Sequence, residues 1–152
     1  MTTKNKLDKM FGPVGTSAGI FTFIAGLIMT YFALTGMILV LIGAFIGFSS
    51  TSTVIDFDKK RLKFTNNFFG IIPSGQWISI QADMKIGIQK SNTVWRAYSL
   101  SNRTLDIANN DYRLILYDAN GNEIMPMQKS SHLDAAKLDL DKFSKQLGIG
   151  VI

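Results

Sequence analysis

The chain of 152 residues contains no cysteine. Disulfides, thiolate zinc sites and cysteine nucleophiles are therefore excluded, and any compartment remains compatible. Histidine occurs once, at His132. A lone imidazole makes no metal site without neighbours, and His132 reads as a solvated residue in the first turn of a helix. No glycine-rich phosphate loop followed by lysine is present. The largest absence is charge: residues 10–55 contain no Asp, Glu, Lys, Arg or His.

What fills that stretch is apolar. A run of 18 or more such residues already suggests a membrane helix. Residues 11–48 as one helix would be about 57 Å long, against a hydrocarbon layer of ~30 Å. Thr30, Thr35 and Gly36 lie near the middle, where a hairpin turns. The length therefore predicts two transmembrane helices, over 14–31 and 34–50. It divides the chain into an N-terminal segment (1–12), a transmembrane hairpin (13–51) and a domain (52–152). A secretory signal has an apolar region of ~7–15 residues before its cleavage point. Here apolar character continues to Phe48, which predicts a retained anchor. Lys4, Lys6 and Lys9 precede the run, and Lys59, Lys60, Arg61 and Lys63 follow it. Positive residues stay cytoplasmic, so both termini are expected on that side.

Small residues recur along both predicted spans: Gly15, Gly19 and Gly26 in the first, Gly36, Gly43 and Gly47 in the second. Their steps place each set on one helix face. Such faces allow close helix contact in lipid, where apolar surfaces have little other reason to associate. The two faces either pack against each other or dock another membrane protein.

After Ser52 the pattern changes to period two. The segment 53–57, the turn at Asp58-Lys59-Lys60 and the return at 61–65 read as a hairpin. Further strands are expected at 68–72, 76–81, 84–89, 94–100, 104–108, 112–117 and 123–127. Asn120-Gly121 favours the positive φ of a tight turn. Pro126 argues for an edge strand or a strand end. The chain closes with an amphipathic helix: Leu133, Ala136, Leu140, Phe143 and Leu147 form one stripe, Ser131 is placed to cap it, and Gly148 to end it.

Few groups suggest chemistry. Gly15-Thr16-Ser17-Ala18-Gly19 matches G-x-S-x-G by letter, but that elbow needs a strand-turn-helix and a histidine base. Asp56 and Asp58 share a strand face, where paired carboxylates can do acid–base work; as residues flanking a tight turn they need no such role. Lys59, Lys60, Arg61 and Lys63 either contact anionic lipid, at ~1 kcal/mol per residue near a surface, or simply solvate a turn. The net charge of +5, from 16 basic and 11 acidic residues, demands no nucleic-acid partner.

The hairpin, the Val54-Ile55-Asp56-Phe57-Asp58-Lys59-Lys60-Arg61-Leu62 segment, Gly70 and Gln76-Trp77-Ile78-Ser79-Ile80 together resemble small bacterial membrane proteins with pleckstrin-homology-like domains. The resemblance implies a bent antiparallel β-barrel of about seven strands, closed by the C-terminal helix and anchored in an inner membrane. It also implies binding rather than catalysis. The expected role is a non-catalytic accessory or scaffolding subunit that docks a larger membrane assembly. Its expected partners are membrane lipid and another integral membrane protein. The alternative is a sensor of anionic headgroups through the basic turn. No catalytic, metal or cofactor residue is expected.

Overall fold

A computed structural model describes residues 1–98, 101 and 103–152. It begins with a strand, β1 (Thr2–Lys9), that the sequence pattern does not announce. In β1, Leu7 is buried while Lys4 and Lys6 point outward. Two helices follow, α1 (Gly12–Phe32) and α2 (Gly36–Phe48), and then β2 (Ser50–Asp56). β1 pairs antiparallel with β2, from Thr2↔Asp56 to Lys9↔Ser50. The helical hairpin is thus an insertion between two neighbouring strands. The Met10 N–H donates to the Ser49 carbonyl at 3.2 Å and closes its root.

The expectation of two transmembrane helices is overturned. Among the described residues there are three helices, and only α1, with 21 residues, is long and apolar enough to cross a membrane. α2 has 13 residues, about 20 Å of helix. The uncharged run is long enough for two spans, but it does not divide equally. Residues 33–35 form the turn, and the second half ends at Phe48 because Ser49 is already extended.

The β part also differs from a closed barrel of about seven strands. Nine strands are present among the described residues, in two sheets that form a half-barrel. In the first, β1, β2, β3 (Arg61–Phe68) and β4 (Ile72–Ser74) lie side by side, and β5 (Trp77–Ser79) also pairs with β3. The second has the order β8 (Glu123–Ser130), β7 (Thr104–Tyr117), β6 (Lys85–Tyr98) and β9 (Gly150–Val151), with β9 parallel to β6. Strands expected separately at 84–89 and 94–100 are one continuous β6, and those at 104–108 and 112–117 are one β7. Ser99 and Leu100 of the expected 94–100 strand lie outside the described residues. Pro126 sits on β8, an edge strand beside a register shift, where its missing N–H breaks no ladder.

The core lies between the sheets. Ile55, Leu62, Ile86, Leu114, Leu116 and Met127 are fully buried there. Across the sheets, the Thr53 hydroxyl donates to the Pro126 carbonyl at 2.7 Å, and the Asn5 amide to the Met127 carbonyl at 3.2 Å. α3 (Leu133–Leu147) packs on this core through Ala136, Phe143 and Leu147. Leu140 is only partly buried and Leu133 is exposed, so the covering stripe is narrower than its sequence spacing suggests. His132, not Ser131, holds the N-cap position. Gly148 ends the helix in the left-handed region, and its N–H donates to Ser144 O at 2.9 Å.

Candidate membrane-facing surface and basic turn

The helix-lining glycines meet inside the hairpin. A Cβ on Gly26 would lie 2.6 Å from the Val40 nitrogen, and one on Gly47 would lie 3.0 Å from the Ile20 nitrogen. At Gly19, Gly36 and Gly43 it would overlap the backbone of Gly47, Thr30 and Phe23 respectively. Gly15 is the exception: its added Cβ would meet Phe11, not α2. The small-residue faces are therefore consumed by internal packing, which leaves bulky residues outside. The hydroxyls of Ser17, Thr22 and Thr30 donate to the carbonyls of Pro13, Ala18 and Gly26, four residues back, so they need no water.

The outer surface is uncharged and exposed. Phe21 is 75%, Tyr31 87%, Phe32 80% and Leu34 80% accessible. In α1 only Gly12, Thr16, Gly19 and Gly26 are buried. Water-facing monomers rarely expose a continuous apolar surface of this extent.

The hairpin root is tied into the half-barrel. α1 starts at Gly12, whose φ is +69°, and a Cβ there would lie 2.5 Å from the Trp95 indole on β6. Four charges on three strands form a knot below it. Arg113 reaches Asp8 and Asp111, both at 2.8 Å, and Lys129 reaches Asp8 at 2.9 Å. Two cations and two carboxylates neutralise each other, so the knot binds β1 to β7 and β8. Asp8 comes from the other end of the chain, so sequence does not group the four. A shallow hollow of about 180 Å³ beside it is lined by Leu7, Lys9, Gly12, Trp95, Asn109 and Lys129, among others.

The basic turn lies elsewhere. β2 leaves the root at Ser50 and reaches the turn only after Asp56, about 20 Å along the strand. Lys59, Lys60 and Arg61 thus lie at the end of the sheet opposite the hairpin, while Lys63, paired with Val54, lies part of the way back along β3 toward it. Asp56 accepts from the Lys59 N–H at 3.2 Å and from Arg61 Nε at 3.1 Å. Burial would raise the Asp56 pKa, but these two donors outweigh it and hold the carboxyl below its ordinary value. Arg61 also stacks over Trp77, 4.3 Å from the ring centre, and the N-terminal ammonium of Met1 pairs with Asp58. Both aspartates of the turn therefore have cationic partners.

The remaining candidates lie on separate helices. Ser17 of the G-x-S-x-G match lies within α1 and not at a strand-to-helix elbow, while His132 holds the N-cap position of α3 without a side-chain capping bond. No group of three or more potential metal ligands occurs among the described residues. No protein-family model, curated protein or solved structure matches the chain. The likeness to pleckstrin-homology-like membrane proteins rests on the sequence pattern alone.

Proposed function

We propose that the protein is a non-catalytic accessory or scaffolding subunit, anchored by a helical hairpin that dips into a bilayer from one face. The carrying observation is the uncharged, exposed apolar surface of α1 and α2. Both ends of the hairpin join adjacent strands, so they leave the bilayer on the same side. The part of α1 clear of the half-barrel, residues 19–32, matches α2 in length, and each is about 20 Å long. That is less than the ~30 Å of hydrocarbon, so the tip at residues 33–35 stops within the layer. The half-barrel then rests against the membrane surface, with both chain ends on the cytoplasmic side, and offers a docking face to a larger integral membrane assembly. With the glycine faces occupied internally, a partner meets the bulky outer residues of the hairpin and the half-barrel beside its root.

The basic turn is the weaker candidate for lipid contact. It lies about 20 Å from the root, beyond the ~8 Å screening length of physiological salt. Vesicle flotation separates the readings. An apolar anchor keeps the full chain with phosphatidylcholine vesicles containing anionic phosphatidylglycerol at 1 M salt. Reversing the charges of Lys59, Lys60, Arg61 and Lys63 leaves that retention unchanged. Release by salt, or loss on charge reversal, would transfer the role to the basic turn.

A further inference from the structure

The turn joining β3 to β4, residues 69–71, is apolar where a water-facing turn would carry Asn, Asp or Ser. Its sequence with flanking residues is Phe68-Phe69-Gly70-Ile71-Ile72, and no charge occurs between Lys63 and Asp83. Ile71 is 80% and Ile72 54% exposed. The half-barrel core uses neither side chain.

This turn is fastened to the base of the hairpin. Phe45 of α2 stacks on Phe68 at 6.0 Å between ring centres and meets Phe69 edge-on at 5.4 Å. The Phe69 N–H donates to the hydroxyl of the buried Ser49 at 3.1 Å. A Cβ on Gly70 would lie 3.2 Å from the Phe48 carbonyl oxygen. The pairing Ser50↔Asn67 carries the turn past the start of β2, alongside the last turn of α2. Phe69 holds φ +54°, a region a bulky residue rarely adopts. The bond to Ser49 and the Phe45 ring hold it there.

We infer that residues 69–72 are a second lipid-contacting element, which inserts Ile71 and Ile72 into the interfacial region of the bilayer face that receives the hairpin. The inference rests on the reading of the hairpin as an anchor. It adds a second point of attachment, and two points set the tilt of the half-barrel against the membrane surface. Lipid is the fitting occupant because the turn continues the uncharged surface of α2 at the level where that helix ends.

The absence of native cysteine permits a direct test on the full chain in phosphatidylcholine vesicles. Ile71→Cys, Ile28→Cys and Lys59→Cys variants each carry an environment-sensitive fluorophore, and the acyl chains carry bromine at shallow or deep positions. The expected result is loss of Ile71-site emission to shallow bromine, loss of Ile28-site emission to deep bromine, and neither at the Lys59 site. Ile71-site emission as water-like as that of the Lys59 site, with Ile28 still quenched, would overturn the second contact and leave the anchor standing. An unquenched Ile28 site would overturn both.

Discussion

Gly43 sets the distance between α1 and α2, because any side chain there would run into the Phe23 backbone. Gly43→Ala should cost about 1–3 kcal/mol, the usual range for overpacking a close contact. Gly150→Ala, whose new methyl would lie 3.6 Å from the flexible Lys85 side chain, should change stability by less than about 0.5 kcal/mol. Thermal unfolding of the two variants in mild detergent compares them directly. A second residue-scale prediction concerns Asp118 in the β7–β8 turn. Its carboxylate accepts from the Asn122 side chain at 2.9 Å and from the Asn122 and Asn120 N–H groups at 2.9 and 2.8 Å. These bonds lower its pKa from the ordinary 3.8. A carboxyl depressed on folding adds stability that is complete above its unfolded value and lost as pH falls through the folded one. Asp118→Asn should therefore destabilise the chain at pH 7 and flatten the decline in stability below pH ~4. Unchanged acid unfolding would remove Asp118 from the account. At this scale the glycine spacing was legible, since steps of three and four define a face. The Asp8–Asp111–Arg113–Lys129 knot was not, because only the half-barrel brings those strands together.

Elements differ in how far sequence revealed them. The α3 stripe was readable, but spacing alone cannot show where a helix face turns away from the core. Phe143→Ala should cost about 3–5 kcal/mol as a truncation of a core aromatic. Leu133→Ala, at a residue 38% exposed, should cost less than about 1 kcal/mol. Equal losses in chemical denaturation would contradict the packing described for α3. The expected strands left gaps at 90–93 and 109–111. In the ribbon these gaps lie opposite one another, Ser91↔Asp111, Asn92↔Asn110 and Thr93↔Asn109, so the ladder runs through both. β1 escaped notice for a different reason. Its lysines read as the positive flank of a predicted span, and its pairing partner β2 comes only after the whole hairpin.

At the scale of the molecule, the uncharged run announced an apolar hairpin but not how its length is shared. The first seven residues of α1, 12–18, lie beside the half-barrel root, below the contact of Gly19 with Gly47. Only the remainder projects. Two equal spans would place Thr35 on the far side of a membrane; the proposed one-sided hairpin would stop it inside. The decisive measurement is the reactivity of a single Thr35→Cys in sealed vesicles, with Asn120→Cys as the reference for the half-barrel side. A thiol in hydrocarbon cannot ionise to the reactive thiolate. The account predicts that an impermeant thiol reagent labels Asn120→Cys from the outside of vesicles that carry the half-barrel outward. It also predicts no labelling of Thr35→Cys from either side until detergent is added. Labelling of Thr35→Cys from the face opposite Asn120→Cys would contradict the one-sided hairpin, and labelling from the same face would contradict its insertion.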